Sequence, residues 1–133
     1  MIKIVFLDIN GVLNTSIDYN LNQKCIDNLA YIIKQTGAKV VITSAWRRDE
    51  YALNSLVQTL NQNDIEVLGC TKILNQERSL EILAYISGIE EEHKYVILDD
   101  LKINHFPNTL VLVDRNTGLT YEDALKAIKI LQD

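Results

Sequence analysis

The sequence predicts a single α/β domain of three layers, a five-stranded and mainly parallel sheet between helices. Two observations predict it. Short runs of Val, Ile and Leu alternate with amphipathic stretches of helical spacing along the chain, and strands apolar on both faces belong to parallel sheets covered by helices. At 133 residues the chain can bury one sizeable core but not two, so one domain over residues 1–133 is expected.

Ile2 to Leu7 reads as the first strand. Leu21, Cys25, Leu29, Ile32 and Ile33 then recur at helical spacing, with Gly37 as the stop signal. Lys39 to Thr43 is a second buried strand, and Leu53, Leu56, Val57 and Leu60 form the next apolar stripe, ending in the polar loop Asn61 to Asp64. Ile65 to Leu68 is a third, weaker strand because Glu66 interrupts it. A helix from about Glu77 to Ser87 closes at Gly88, and Tyr95 to Leu98 and Thr109 to Val113 supply two more strands. Thr120 is placed to cap a last helix whose buried face is Tyr121, Ala124, Leu125, Ile128 and Leu131.

The bulk numbers narrow the function. One proline and five glycines argue against linkers or disorder. A net charge of −5 opposes general attraction to polyanions, so a nucleic-acid substrate requires a local basic patch. Cys25 and Cys70, placed on a helix and in a loop, offer neither metal spacing nor a disulfide framework, which fits a reducing cytosol. No apolar run approaches spanning length and nothing reads as a cleavable leader. A cytoplasmic protein without membrane contact is expected.

Chemistry concentrates where apolar strands break into acid. Phe6-Leu7-Asp8-Ile9-Asn10-Gly11 and Tyr95-Val96-Ile97-Leu98-Asp99-Asp100 both do so, and ligands of parallel sheets bind outside the carboxyl ends of the strands. Asp8, Thr43, Ser44, Asp99 and Asp114 all fall at such ends. Three carboxylates sharing one cleft repel unless a cation neutralises them. Hard Mg²⁺ takes oxygen ligands, and Asp8, Asp99 and the main-chain carbonyl of Asn10 would supply them. Asp100 is placed to hold an ordered water or a cationic side chain beside that ion. A strand end also fixes Asp8 rigidly enough to attack phosphorus, and Gly11 lets the backbone turn so that amides face a phosphate.

The remaining expectations come in rival pairs. Ser44 could donate to a phosphoryl oxygen, with Thr43 as its rival, because neighbouring strand residues face opposite ways; either could instead cap the helix that follows. Arg47 could bind substrate or be an ordinary exposed arginine of a first turn. A fixed cation must balance nucleophile and phosphate. Arg78, at a predicted helix start, is better placed than Lys72, which lies in a loop. His93, in a solvated loop after three glutamates, and His105 attract no role, and Trp46 reads as a packing or stacking residue.

These motifs together resemble the haloacid dehalogenase-like (HAD) phosphohydrolase superfamily over nearly the whole chain. Its first motif, Asp-x-Asp-Gly, is matched by Asp8-Ile9-Asn10-Gly11 except at the second acid. Ser44 is similar to the second-motif hydroxyl, Arg78 to the third-motif cation and Asp99-Asp100 to the fourth-motif acids. Thr43-Ser44-Ala45-Trp46-Arg47, Arg78-Ser79-Leu80-Glu81-Ile82-Leu83 and Asp114 with Gly118-Leu119-Thr120 resemble the small HAD domains associated with RNA-repair (Swiss Army Knife) proteins. The resemblance implies a Rossmann-like domain, Mg²⁺, and a phosphomonoesterase in which Asp8 is phosphorylated by the substrate and then released by water. The stretch from Asn14 to Leu21 is too short for a cap domain. That implies an open site for a bulky substrate, such as a phosphorylated polynucleotide end or protein, or closure by a partner.

Asn10 departs from the motif. The residue two beyond the nucleophile protonates the leaving oxygen and later activates water, which an amide cannot do, so binding should survive while turnover falls. Three readings compete: an engineered substitution that traps substrate, a slow enzyme or silent phosphate-binding pseudoenzyme, or another group that supplies the proton. Intactness elsewhere in the site favours the first. A receiver domain, the other small α/β phospho-acceptor, keeps its acid pair on the first strand and its acceptor on the third. Here the pair comes late and the third strand runs into Leu68-Gly69-Cys70. A partner-binding module without catalysis stays open.

Overall fold

The computed structural model describes residues 1–15, 20–74 and 77–133. Five strands, β1 (Ile2–Leu7), β2 (Lys39–Ile42), β3 (Val67–Cys70), β4 (His93–Asp99) and β5 (Leu110–Leu112), form one sheet in the order β3-β2-β1-β4-β5. Every pairing between them is parallel. Helices α1 (Gln23–Thr36), α2 (Glu50–Gln62), α3 (Arg78–Ser87) and α4 (Tyr121–Gln132) connect and close the sheet, and a single turn of 3-10 helix spans Ala45–Arg48. This is the expected Rossmann-like three-layer domain, and no separate cap domain stands among the described residues. Residues 16–19, inside the stretch judged too short for a cap, lie outside the description.

Strand pleating sorts the core into two. Val5, Leu7, Val40, Ile42, Val96 and Leu98 pack with α1, α2 and α4, whereas Ile4, Phe6, Val41 and Ile97 pack with Ile82 of α3 and with Phe106. Full burial of each such side chain contributes roughly 1.5–3 kcal/mol. One face therefore carries three helices and the other essentially α3. The winding direction reverses between β1 and β4, which opens a crevice at the carboxyl edge of these central strands.

The local signals explain most boundaries. Asn22 caps α1 by accepting from the Lys24 and Cys25 amides, and Gly37 ends it in the left-handed region at φ 72°. Gly118, at φ 68°, lets the chain pass close to α1 and the first loop: a Cβ there would lie 2.6 Å from Cys25 Sγ and 3.1 Å from the Val12 carbonyl. The next amide, Leu119 N, donates to Val12 O at 2.8 Å, so this approach pins the loop that follows β1.

Four expectations need correction. The third strand is Val67–Cys70, shifted from Ile65–Leu68, because a register irregularity between Val40 and Val41 sets Gly69 opposite Val41. Ile65 is buried ahead of the strand, and Cys70 lies on the strand, not in a loop. His93 opens β4 by pairing with Ile2; main-chain pairing needs no apolar side chain, so the strand starts before the apolar run. The buried face of α4 is Asp123, Ala124, Ala127 and Leu131, while Tyr121 and Leu125 are 49% and 44% exposed. There the capping box fixes the phase, with Thr120 N donating to Asp123 Oδ2 and Asp123 N to Thr120 Oγ1, and two alanines allow close packing on α1.

Candidate active site

The register of β1 with its neighbours builds the site. Leu7 pairs with Ile42 on one side and Leu98 on the other, so the next residues, Asp8, Thr43 and Asp99, lie side by side at the sheet edge. Backbone bonds lock the three ends: Asp8 N donates to Leu98 O at 3.0 Å and Thr43 N to Leu7 O at 2.9 Å. All three side chains are buried. One ligand oxygen each from Asp8, Asp99 and Asp100 lies within 4.8 Å of the others.

The structure sets Arg78 against these acids. Its Nη1 stands 3.6 Å from Asp8 Oδ1 and forms a close ion pair with Asp99 Oδ2. Asp99 Oδ1 accepts from the Leu101 amide at 2.9 Å, and Asp100 Oδ2 faces Arg115 Nε at 3.6 Å. Burial, and then the Asp99 charge, push the Asp8 carboxyl up to about 8 in spite of Arg78. Burial likewise raises Asp99, against the lowering effect of Arg78. Lys72 instead lines another cavity, with Ile2, Ile4, Cys70, Glu81 and Tyr85.

The donors fit a hard divalent cation. All are oxygens, two of the three acids are buried, and Arg78 with the largely exposed Arg115 brings less positive charge than three carboxylates carry; an added cation offsets the burial and the repulsion that raise Asp8. The sign of the resulting pH dependence follows. In the metal-free fold Asp8 keeps a proton that the unfolded chain, at its ordinary 3.8, releases. This contribution to stability is therefore full below about pH 4 and lost as pH rises through about 8. Relative to wild type in chelator, Asp8→Asn should gain stability between about pH 5 and about pH 9; parallel denaturation midpoints would contradict the burial of that proton.

Around this centre the hydroxyls divide. Ser44 caps the 3-10 turn, accepting from Trp46 N at 3.3 Å, and among the described residues nothing accepts its proton. Thr43 Oγ1 accepts from Thr71 Oγ1 at 3.0 Å and from Arg47 Nη1 at 3.4 Å. Arg47 is not an exposed first-turn residue: its side chain is 6% exposed and pairs with Glu81 Oε1 at 2.7 Å, besides a close contact of Nη1 with Thr71 Oγ1.

Asn10 is solvent-exposed, with its Oδ1 taken by Trp46 Nε1 at 2.9 Å and Asn14 Nδ2 at 3.1 Å. Gly11 turns at φ 83° with Asp100 where a Cβ would go, the Asp100 Cγ at 2.7 Å. Its amide donates to Asn14 Oδ1 at 3.1 Å. Asp114 serves its own turn, accepting from Asn116 N at 2.9 Å.

Three contributors escaped the sequence. Glu81, 1% exposed, holds Arg47 and lies 3.8 Å from Arg78 Nε; its i,i+3 spacing from Arg78 was the available signal. Asn14 and Thr71 carried none. The indole of Trp46 is buried as expected, but its bond to Asn10 also makes it part of the site.

The fold and this cluster define a HAD-type domain. The family model for the HAD domain in Swiss Army Knife RNA repair proteins matches residues 4–124, and the chain belongs to that family. Neither a curated protein nor a solved structure shows a significant match. Among the described residues no helix is long and apolar enough to cross a membrane.

Proposed function

We propose that this chain is a phosphomonoesterase in which Asp8 attacks the phosphorus of a phosphate monoester. The Asp8–phosphorus bond forms as the bond to the leaving oxygen breaks, and water later hydrolyses the aspartyl phosphate. The observation that carries this reading is Asp8 itself, buried at a strand end between Arg78 and a second buried acid. Asp8, Asp99 and the Asn10 carbonyl, with Asp100 beside them, would hold Mg²⁺, which when bound supplies charge neutralisation at the phosphate. Arg78 would turn its guanidinium to the phosphoryl oxygens. Ser44, with its proton uncommitted, is the better hydroxyl donor, and Thr43 orients Arg47 at the edge of the substrate site. The Gly11 turn brings the backbone close to the acids.

The family's link to RNA repair and the lack of a cap among the described residues support a bulky substrate, with a phosphorylated polynucleotide end as the first choice. Two free cysteines support a cytosolic setting. Asn10 favours a second reading, a phosphate-binding module without turnover, because an amide transfers no proton.

One experiment separates the two. An aryl phosphate carries a leaving group that needs little protonation, so phosphorylation of Asp8 should proceed, while its hydrolysis lacks a base. Incubation with p-nitrophenyl phosphate and Mg²⁺ should leave covalent phosphate on Asp8, found by peptide mass spectrometry and absent in Asp8→Asn. Phosphate binding with no covalent adduct favours the module.

A further inference from the structure

The chain carries 18 acidic against 13 basic residues, yet positive charge gathers beside the acids of the site. Arg47, Arg48 and Arg78, with Ala45 and Glu81, line a cavity of about 210 Å³. Its only carboxylate, Glu81, is already engaged: Oε1 by Arg47 at 2.7 Å, Oε2 by the Leu74 amide at 2.9 Å. Arg47 is paired with Glu81 and Arg78 with Asp99, so Arg48 is the uncommitted positive charge of the lining. Arg48 is exposed and makes no ion pair among the described residues. Arg47, whose side chain is 6% exposed, keeps its Nε–H buried without a partner among the described residues.

We propose that this cavity takes a second phosphate of the substrate, the phosphodiester next to the terminal phosphate presented to Asp8, and that Arg48 is the residue that selects polynucleotide ends. The proposal rests on the reading of Asp8 as the phosphoryl acceptor. Arg78 belongs both to the cavity and to the Asp8–Asp99 pair, so the two anion positions are one side chain apart. Adjacent anion positions suit a chain of phosphates, whereas a phosphoserine peptide or a simple monoester offers one. The cavity is also the local basic patch that an acidic chain requires before it can hold a polyanion.

The test compares wild type, Arg48→Ala and Arg48→Lys, each with Mg²⁺. Fluorescence polarisation measures binding of short single-stranded oligonucleotides with a phosphate at either end, and mass spectrometry measures labelling of Asp8 by p-nitrophenyl phosphate. Arg48→Ala should weaken oligonucleotide binding on the order of tenfold, as loss of one charge-assisted contact implies. It should also flatten the dependence of log K on log salt by ~0.7, with Arg48→Lys restoring most of the slope and Asp8 labelling unchanged. Unchanged oligonucleotide affinity in Arg48→Ala overturns the proposal, as does an equal loss of Asp8 labelling. A singly phosphorylated peptide that binds as tightly and depends equally on Arg48 also overturns it. Failure of the parent reading shows separately, as no labelling of Asp8 in wild type.

Discussion

Asn10→Asp is expected to raise turnover of a phosphomonoester by about 10²–10⁴-fold, the usual worth of general acid–base catalysis. The site is already shaped for the acid. Trp46 Nε1 and Asn14 Nδ2 both donate to Asn10 Oδ1, and a carboxylate oxygen accepts the same two bonds without rearrangement. The position is exposed, so a charge there suffers little desolvation. The gain should appear in the second half of the reaction: covalent phosphate on Asp8 becomes short-lived and free phosphate accumulates. Steady-state release of phosphate from an aryl phosphate, with Asp8→Asn in the same background as control, measures it. No gain would mean that Asn10 is not what limits turnover.

The second large effect is on stability. Glu81→Ala should cost about 3–5 kcal/mol, the range for removing one partner of a buried ion pair. Arg47 would stay buried with its main counter-charge gone, and the Leu74 amide would lose its acceptor. Glu81→Gln, whose single carbonyl oxygen can accept from Arg47 or from the Leu74 amide but not from both, should recover only part of that loss. Denaturant midpoints of the two variants decide this. Equal and small losses would mean that the Arg47–Glu81 pair is solvated in a way its burial contradicts.

The sequence disclosed the parts of this protein whose cause is local. Asp8 and Asp99 stand out because buried strands end abruptly in acid, and Gly37 and Thr120 mark helix ends by their own chemistry. Arg78 was legible because a helix start fixes where it lies. What escaped is what tertiary packing decides. Nothing local says that the register of β1 with β2 sets Thr43 beside Asp8, that Thr71 reaches it from β3's far end, or that Arg47 and Glu81 are buried against each other. Helix α4 shows the same limit: Ala124 and Leu131 are buried as expected, but Asp123 and Ala127 are buried where Tyr121 and Leu125 were expected. The indole of Trp46 looked like packing until the fold brought it to Asn10.

The account depends on Asp8 and Asp99 sharing one divalent cation, with Asp100 beside it. Calorimetric titration of Mg²⁺ at neutral pH, repeated in buffers of different ionisation enthalpy, tests this most directly. A single saturable site is predicted, with protons released on binding because Asp8, held near 8, must ionise to bind the metal. Binding should be lost in both Asp8→Asn and Asp99→Asn. Mg²⁺ binding that survives in both variants, or no saturable binding to the wild-type chain, would contradict it.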